Sequence, residues 1–562
     1  MSLVSLYDEA SLWMTPGAYE DGKLFSELPT DGSGDFTFSR GSNLSATRVG
    51  PTGLIEKGRE NLFKHSNDFN QSVWIHSGTI TSGQSGYDGT NNAWKFENPS
   101  ITSSIYQPNT NSGVQTISAY FKKNATYGVR FYAFGSSNAN TWFDLNNGVV
   151  VAQNNTIDAS VEPVGTDWFR CSMTINQTNS RCDFYVTNNA QVQVLGHFTI
   201  QDAQLEIGLA ATEVITTGAT TGKAGLLENE PRLDYSGGAS CPSLLLEPSR
   251  SNLVVNSEYI NNSASGWSTF FDTNITNNAA TSPDGAHNAT EVACPIGGSA
   301  RIDSVNSGVA VGTYTYTFYA KGNVSSLYLN AYEDATGTTL SSTSIGALIN
   351  DSNWSRIDVT FTTTAISTIR MIINSLLSGE SFYIYGAQLE LGSYPTSYIP
   401  TYGTSQTRSI DGGSNFQIDN LKNNGFFGNT YTLFYEFDNL NFGASSQQFN
   451  YLFDDNGSLT MYVYGTTLTI LTESGPRYTL FTNGFTNVKS GKFLVKYDGS
   501  DIKIFKDGSL YQTYSDPTSS WSIPKLIRLY TSTATASISY KQVLTFPTAL
   551  NDSECIALTK LD

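Results

Sequence analysis

The sequence predicts an all-β protein built of tandem β-sandwich or jelly-roll domains. Only 14% of the 562 residues are charged, whereas an ordinary soluble protein has roughly 25%. Residues that suit strands and tight turns fill the difference, among them 49 Gly, 31 Tyr and 31 Phe. Aromatic side chains fit a half-buried pleated surface, and glycine fits turns. Short apolar alternations separated by turn residues recur along the chain, as in sandwiches and jelly rolls.

The chain contains one domain-sized module twice, over residues 61–222 and 252–402. Both copies open on Asn-Leu, pass a Trp-x-Arg strand and close on Ala-Gln-Leu-Glu-x-Gly. The corresponding residues are Asn61 and Asn252, Trp74 and Trp267, Trp168 and Trp354, Arg170 and Arg356, and Asp202 and Gly386. Repetition of a segment of this size predicts two copies of one fold.

Residues 1–60 precede the first module and contain only short candidate strands. Apolar and polar residues alternate over 36–39, which predicts a strand with one apolar face. The segment is too short to fold alone. Its Gly-Leu-Ile-Glu sequence at Gly53 is echoed by Gly-Leu-Leu-Glu at Gly225. The bridge, residues 223–251, thus begins with an echo of the N-terminal segment.

Two alternating stretches of the first module, 168–173 and 181–186, flank a polar turn and predict a hairpin. Cys171 and Cys182 lie on either side of that turn. The five cysteines are odd in number and scattered, without the paired spacing of zinc sites. We expect them to be reduced and mostly buried, with a disulfide between Cys171 and Cys182 as the alternative.

The last portion, residues 421–562, has a different pattern. Asp-Gly pairs at Asp498 and Asp507 separate three alternating runs, and this pair is the strongest short-range signal for a hairpin. Near the end, Asn551 with Glu554 three residues later predicts a capped helix over 551–559. We expect little other helix.

Charge and hydropathy exclude two classes of partner. The formal net charge is −18 and the pI is near 4.6, so the protein repels nucleic-acid phosphates and anionic membranes. No apolar run approaches the roughly 20 residues that cross a bilayer. The first residues lack the basic flank and apolar core of a secretion signal. We expect no nucleic acid, no membrane insertion and synthesis as a soluble protein in a cytoplasm.

A specific block of motifs surrounds the first module. Phe36-Thr-Phe-Ser-Arg-Gly-Ser and Gly53-Leu-Ile-Glu precede it, whereas Pro231-Arg-Leu-Asp-Tyr and Leu244-Leu-Leu-Glu-Pro-Ser-Arg-Ser-Asn-Leu follow it. This block resembles one that recurs in virion structural proteins of tailed bacteriophages, where its two parts usually lie close together. The first module therefore interrupts the block. The modules resemble carbohydrate-binding jelly rolls of such proteins, and residues 421–562 resemble a concanavalin or laminin-G type sandwich.

The resemblance implies a virion component displayed on the particle surface, as a tail fibre or appendage, or as a fibre or decoration of the head. It implies that residues 1–60 and 223–251 anchor the protein to the virion. The implied partners are other virion proteins and host surface glycans, and the implied assembly is a homotrimer. Repeated weak sites on a particle would gain avidity. The alternatives are a purely structural decoration protein without ligand and a polysaccharide depolymerase.

Sugar binding uses exposed aromatic rings, because the C–H face of a pyranose stacks on them. The chain has eight Trp. Those that recur in both modules are interpreted as structural. Trp94 and Trp142 have no counterpart in the second module, and they are the carbohydrate-binding candidates. Each could instead fill a local gap in the core.

Catalysis has little support, and we predict that the protein is not an enzyme. None of the four histidines lies in a metalloprotease or nucleophile-elbow motif. Asp454 with Asp455, and Asp498 with Asp501, could form glycosidase acid pairs, but turn chemistry explains them better. We expect no cofactor except for a possible structural calcium ion. Carbohydrate-binding jelly rolls often hold one near an aspartate that Asp202 resembles, although the second copy has glycine there.

Overall fold

The computed structural model describes residues 3–41, 44–262, 264–418, 425–442, 449–454, 459–464, 467–472, 477–481, 490–515, 527–530 and 536–561. Strands hold 52% of the residues and helices 4%. The all-β prediction is therefore confirmed.

The first part of the chain contains short elements and then the long strands of the first module. The N-terminal elements are α1 (Leu3–Tyr7), β1 (Leu12–Met14), β2 (Tyr19–Glu20), β3 (Lys23–Leu24), β4 (Phe36–Thr37), β5 (Thr47–Val49), β6 (Ile55–Lys57) and β7 (Arg59–Asn61). The first module contains β8 (Ile75–His76), β9 (Thr79–Gln84), β10 (Ala93–Asn98), β11 (Ser104–Asn111), β12 (Val114–Lys122), β13 (Tyr127–Gly135), β14 (Ala139–Asp144), β15 (Val149–Asn154), β16 (Asp158–Val164), β17 (Trp168–Asn176), β18 (Asn179–Asn188) and β19 (Gly196–Ile207).

The bridge and the second module follow. The bridge contains β20 (Gly222–Ala224), β21 (Leu233–Asp234), a 3-10 helix (Ser236–Gly238), β22 (Ser243–Leu246) and β23 (Arg250–Asn252). The second module contains β24 (Trp267–Phe271), β25 (Asn274–Ala280), β26 (Ala289–Ala293), β27 (Ala300–Val309), β28 (Thr313–Gly322), β29 (Tyr328–Glu333), β30 (Thr338–Ser344), a 3-10 helix (Gly346–Leu348), β31 (Ser355–Thr362), β32 (Ser367–Leu376) and β33 (Ser381–Leu391), followed by β34 (Gln406–Arg408).

The C-terminal part completes the chain. Its elements are β35 (Gly412–Ile418), β36 (Tyr431–Phe442), β37 (Phe449–Asp454), β38 (Leu459–Tyr464), β39 (Thr467–Thr472), β40 (Arg477–Phe481), β41 (Gly491–Tyr497), β42 (Asp501–Lys506), β43 (Ser509–Ser515), β44 (Ile527–Tyr530), β45 (Ala536–Phe546) and α2 (Asp552–Thr559). Among the described residues, no helix has the length and apolar character needed to cross a membrane.

The first module is a sandwich of two six-stranded antiparallel sheets. One sheet, here called the closing sheet, has the order β16-β17-β12-β19-β10-β9. The other, here called the platform sheet, has the order β15-β14-β13-β18-β11-β8. Fully buried rings from both sheets, including Phe121, Phe131 and Phe184, fill the space between them. Burial of such rings is the main favourable contribution to folding of the module.

The second module repeats this topology with five strands in each sheet. Its sheets have the orders β31-β28-β33-β26-β25 and β30-β29-β32-β27-β24. They match the closing and platform sheets of the first module, except that β15 and β16 have no counterpart. The two copies of the sequence thus form two copies of one fold.

The predicted hairpin in the first module is wrong. Strand β17 pairs with β12 and β16 in the closing sheet, whereas β18 pairs with β11 and β13 in the platform sheet. The chain therefore crosses between sheets at the turn. Cys171 and Cys182 both point into the core, and all five cysteines are free. Alternation shows which side of a strand is apolar, but it does not show which sheet the next strand joins.

The C-terminal sandwich includes strands from the beginning of the chain. One sheet has the order β21-β22-β45-β36-β41-β42-β43, with β1 also pairing β45. The other has the order β2-β3-β4-β35-β44-β37-β38-β39-β40. Residues 1–60 and the bridge thus add strands to the C-terminal sheets, which sequence reasoning did not foresee.

The local predictions for the C-terminal part are confirmed. Strands β41, β42 and β43 form two successive hairpins. The second turns at Asp507 and Gly508, which have φ values of 46° and 81°. Helix α2 carries a capping box, in which the Asn551 side chain accepts from the Glu554 amide and the Glu554 carboxylate accepts from the Asn551 amide.

A buried ion-pair network, here called the junction cluster, joins the parts of the chain. It consists of Arg40, Arg232, Glu247, Arg408 and Asp411. Arg232 lies 2.7 Å from Glu247 and also pairs with Asp411. Arg408 lies 3.0 Å from Glu247, and Arg40 lies 3.1 Å from Asp411. Arg40, Arg232 and Glu247 come from the motif block, so part of that block holds the fold together.

Each module leaves the rest of the chain through a short two-stranded neck. Strand β7 pairs with β20, with Asn61 opposite Gly222. Strand β23 pairs with β34, with Asn252 opposite Gln406. The two ends of each module are therefore adjacent.

Candidate functional site

The outward side of the platform sheet in the first module carries aromatic and arginine side chains. In β13, Val129, Phe131 and Ala133 are fully buried, so the alternate side chains of that strand point away from the core. Half-buried aromatic residues and arginines lie at these positions and on the neighbouring strands. We call this group the aromatic face: Tyr106, Arg130, Tyr132, Phe134, Trp142, Arg181, Asp183 and Tyr185.

Arg130 lies among three rings of the aromatic face. Its guanidinium carbon is 4.3 Å from the ring centre of Tyr132, 4.9 Å from that of Trp142 and 5.7 Å from that of Tyr185. Such contacts are worth about 0.5–2 kcal/mol each. The Asn140 side-chain oxygen accepts from Nε and Nη2 of Arg130 at 3.0 and 2.6 Å. Arg130 is thus held in one orientation with the rings around it.

A second arginine continues the face along the next strand. The guanidinium of Arg181 lies 4.0 Å from the ring centre of Phe134 and 4.4 Å from that of Tyr106. It also lies 2.9 Å from the buried carboxylate of Asp183. That carboxylate accepts hydrogen bonds from the hydroxyls of Ser104 at 2.8 Å and Tyr185 at 3.1 Å.

Burial shifts the pKa of a carboxyl group and of a guanidinium on the aromatic face. Burial raises the pKa of Asp183, although the hydroxyl of Ser104 and the charge of Arg181 act in the opposite direction. Burial lowers the pKa of Arg130, although the phenol groups of Tyr132 and Tyr185 oppose this. An arginine keeps its charge in proteins even so. The aromatic face therefore presents a fixed cation between rings.

The structure separates the two carbohydrate-binding candidates. Trp142 lies on the aromatic face, opposite Arg130 in the register of β13 and β14. Trp94 lies on β10 of the closing sheet and packs against the core cluster. Its indole N–H donates to the carbonyl of Asn67 at 2.9 Å, and its ring contacts Phe69 edge-on. Trp94 therefore fills the edge of the core and does not join the aromatic face.

Three of the four tryptophans that recur in both modules are buried. Trp74 and Trp267 are 3% and 4% exposed. The indole N–H of each donates to a backbone carbonyl of its own module, that of His65 and that of Asn256. Trp168 is buried, whereas Trp354 is partly exposed beside Tyr385 and Tyr398.

Asp202 and Gly386 mark the same bulge in the two closing strands. Their φ values are 49° and 64°, in the left-handed region that favours glycine and tolerates aspartate. Asp202 stays a predicted calcium ligand. Its carboxylate accepts from the Tyr87 hydroxyl at 2.7 Å, and burial raises its pKa. Within the described ranges, no group of three or more His, Cys, Asp or Glu is placed to hold a metal.

The arginines of the Trp-x-Arg strands bond to backbone carbonyls. Arg170 is 8% exposed and donates to the Thr212 carbonyl at 2.5 Å. Arg356 donates to the Thr396 carbonyl at 2.6 Å. Both arginines thus fasten the segment that follows the closing strand.

Of the aspartates considered as acid pairs, Asp498 lies in a turn, whereas Asp454 ends β37 and Asp501 begins β42. The Asp498 carboxylate accepts from the amides of Ser500 at 3.0 Å and Asp501 at 2.8 Å. This is the hydrogen bonding of a turn aspartate. Asp455, the partner considered for Asp454, lies outside the described residues.

The second module carries a groove on its equivalent sheet, with a volume of about 650 Å³. Its main lining residues are Phe270, Arg301, Asn330, Tyr332, Arg370 and Asn374. The guanidinium of Arg301 lies 4.5 Å from the ring centre of Phe270. The same sheet thus bears different side chains in the two copies.

Sequence reasoning missed most of the aromatic face. It singled out Trp142 because that residue is unpaired between the modules, but it did not single out Arg130, Tyr132 or Tyr185. The signal was present, since Arg130, Tyr132 and Phe134 alternate with apolar residues. In a two-layer sandwich the side opposite the core faces solvent, so large rings there indicate a surface with a binding role.

Comparisons with known proteins give neither a family nor a curated relative. No family model matches the chain, and no curated protein matches it. The solved structures that resemble parts of it include carbohydrate-binding modules and toxin binding domains.

Three of these structures illustrate the range. The N-terminal CBM22-1–CBM22-2 tandem domain from Paenibacillus barcinonensis Xyn10C matches over 62% of this chain and 99% of its own, at 12% identity and a TM-score of 0.23. Botulinum neurotoxin type C matches over 26% of this chain and 40% of its own, at 14% identity and a TM-score of 0.22. The enzymatically active domain of tailspike protein 4 from bacteriophage CBA120 matches over 24% and 21%, at 13% identity and a TM-score of 0.20.

The chain therefore spans less than half of the matched neurotoxin and tailspike chains. At these TM-scores the likenesses carry no argument about the function of this chain.

Proposed function

We propose that the protein is a non-enzymatic glycan-binding protein and that the aromatic face of the first module holds the sugar. The observation that carries this proposal is the ring of Trp142 beside Tyr132 and Tyr185, on the side of the platform sheet away from the core. The core of the module is filled without these rings. Rings that stabilise no core are available to stack on a pyranose.

Polar groups on the same face suit the rest of a sugar. The Arg130 guanidinium lies among the rings, and a planar guanidinium can bind a pair of oxygen atoms. Asn140 and Asp183 are buried beneath the face, where they hold Arg130 and Arg181 in place. Their side chains are already oriented by hydrogen bonds, so little conformational entropy would be lost on binding. The face thus combines stacking surfaces with fixed hydrogen-bonding groups.

The place of action proposed is the surface of a tailed-phage particle, as a tail fibre or appendage or as a head fibre. The support is the motif block of the sequence, and the proposed partners are other virion proteins and host surface glycans. A homotrimer would present several copies of the face together, which increases avidity through effective concentration. Immunogold electron microscopy of intact particles tests this, and absence of label from particles would contradict it.

The glycan-binding proposal is tested with a glycan array and the full chain. We expect Trp142→Ala to weaken binding about 30-fold, because truncating a central aromatic of a binding site costs about 2 kcal/mol. The matched control is Tyr328→Ala, which removes a ring 41% exposed on the equivalent sheet of the second module. Equal binding by the wild type and Trp142→Ala would contradict the proposal.

Stability measurements separate the two tryptophan candidates. Trp142→Ala should lower the stability by only about 0.5–2 kcal/mol, which is the value of its ring contact with Arg130. Trp94→Ala should lower the stability by about 2–4 kcal/mol, because it removes core packing and the hydrogen bond to Asn67. A selective loss of glycan binding in Trp94→Ala at unchanged stability would overturn this assignment.

A purely structural decoration protein is the second candidate. The groups of the aromatic face already bind one another, as the contacts of Arg181 with Asp183 and Phe134 show. Such a protein would give no signal on a glycan array, but immunogold would still label it on intact particles. Release of sugar from purified host polysaccharide would instead indicate a depolymerase.

A further inference from the structure

The aromatic face of the first module carries an uncompensated positive charge. Arg181 pairs with Asp183 at 2.9 Å. Among the described residues Arg130 forms no ion pair within 4.0 Å, and the charge of Asp183 acts on it only from a greater distance; its polar partners are the side-chain oxygens of Asn140 and, at 3.5 Å, Gln193. Two arginines and one aspartate thus leave the face with one net positive charge.

The equivalent sheet of the second module shows the opposite arrangement. Arg301 donates to both oxygens of Asp303 at 2.7 Å. Arg370 donates to Asp334 at 2.9 Å. Each arginine there has its own carboxylate, so the groove is electrically balanced. The same fold therefore bears a charged face in one copy and a neutral face in the other.

The hydrogen bonding of Arg130 leaves part of its guanidinium available. The contacts with Asn140 and Gln193 use one N–H each on Nε, Nη2 and Nη1. A guanidinium has five N–H groups, so one on Nη1 and one on Nη2 remain for a ligand. The two terminal nitrogens together match the spacing of carboxylate oxygens. The rings of Tyr132 and Trp142 lie beside the guanidinium, where a pyranose would stack.

We propose that the aromatic face selects a carboxylated sugar, with the guanidinium of Arg130 binding the carboxylate and the surrounding rings binding the pyranose. This inference rests on the proposed glycan-binding function and names its substrate class. The net charge of −18 makes the cation more significant, because the protein as a whole repels an acidic glycan. Screening limits that repulsion to about 8 Å at physiological salt, so a local cation determines the choice.

The test compares acidic probes with their own neutral derivatives. Oligogalacturonates, hyaluronan oligosaccharides and sialyllactose are each measured against the full chain before and after reduction of the carboxyl groups to alcohols. At least one acidic probe should bind 10-fold to 100-fold more tightly than its reduced form, which is the range expected for a charge-assisted hydrogen-bonded pair. This comparison needs no variant and does not depend on how any substitution folds.

The variants assign the effect to one residue. Arg130→Gln should bind the acidic probe as weakly as the wild type binds the reduced probe, and should bind the reduced probe unchanged. Arg130→Lys, which keeps the charge without the planar fork, should be intermediate. Arg370→Gln is the matched control in the second module, and it should leave acidic-probe binding unchanged. Melting temperatures of all three variants check that the fold is retained.

The outcomes distinguish this inference from the proposed function. If neutral and acidic forms bind equally and Trp142→Ala abolishes both, the face binds glycans but the charge selection is wrong. If Arg130→Gln retains the preference for the acidic form, the assignment to Arg130 is wrong. If no glycan of either kind binds, both proposals fall.

Discussion

Asn61 and Asn252 show how closely the two modules repeat one another. The Asn61 amide donates to the carbonyls of Ala203 and Ile215 at 3.2 and 2.9 Å, and its oxygen accepts from the amides of Phe63 and Leu205. Asn252 makes the same four bonds with the corresponding residues. Both side chains are fully buried. One asparagine thus ties the first residues of each module to its closing strand.

Substitution of Asn252 should destabilise the second module strongly. Asn252→Ala leaves two buried carbonyls and two buried amides without partners, and each unsatisfied group costs about 1–3 kcal/mol. We expect a loss of about 3 kcal/mol or more in the free energy of unfolding, measured by urea denaturation. Asn353→Ala, at an exposed position of the same module, is the control. A change below about 1 kcal/mol in Asn252→Ala would contradict this account.

The sequence identified these asparagines as repeated landmarks but not their bonds. Repetition shows that both copies retain a residue type. It does not show that the polar side chain is buried, because its hydrogen-bond partners lie far away in the sequence. The same holds for Asp202, whose residue type and position suggest a calcium ligand. Its left-handed φ of 49° matches the 64° of Gly386. Backbone conformation therefore explains why one copy has aspartate and the other glycine.

Strand β13 illustrates what alternation can predict. The alternation of its residues correctly predicts a strand with one buried side. The chemistry of the opposite side depends on strands β14 and β18, which bring Trp142 and Tyr185 to Arg130. That juxtaposition follows from sheet order, which no local pattern contains. The failed hairpin between β17 and β18 has the same cause.

The short strands β21 and β22 adjoin the junction cluster. Their pairing in the C-terminal sheet therefore depends on carboxyl groups that acid can protonate. Burial alone would raise the pKa of Glu247, but the charges of Arg408 and Arg232 outweigh it and lower the pKa from 4.5 to about 2. A carboxyl group with a lowered folded-state pKa stabilises the fold above its unfolded pKa. This stabilisation is lost as the pH falls through the folded-state value.

We therefore expect stability to fall between about pH 4.5 and pH 2. The midpoint of urea denaturation, followed by tryptophan fluorescence, should decrease across that interval. In Glu247→Gln the decrease should be smaller, and stability at pH 7 should be lower by about 3–5 kcal/mol because buried arginines lose their partner. An unchanged acid dependence in Glu247→Gln would contradict the assignment.

The complete molecule consists of two matching modules on a sandwich assembled from distant parts of the chain. The duplication could be predicted from repeated landmarks, because both copies retain the residues that close the fold. The participation of β1 and β4 in the C-terminal sheets could not. Pairs such as Leu12 with Thr545 are long-range contacts, and their register leaves no trace in either segment alone.

Removal of the first module should leave the rest of the protein folded. Asn61 and Gly222 are opposite one another in the neck, so residues 62–221 can be replaced by an Asn-Gly turn. Val114 and Leu209 of the first module also pack in the core cluster of the second, so their removal exposes the part of that core that they cover. We expect a soluble all-β protein by circular dichroism, without glycan binding. Aggregation of this protein, or retained binding, would contradict the organisation described.

The neck also bears on how such a chain could change over generations. Asn61 and Gly222, the first and last residues of the first module, are paired neighbours. A genetic exchange with breakpoints at β7 and β20 therefore substitutes an entire module without disturbing any strand of the C-terminal sandwich. Under the proposed glycan-binding function, the choice of ligand and the remainder of the fold are encoded in separable stretches of DNA.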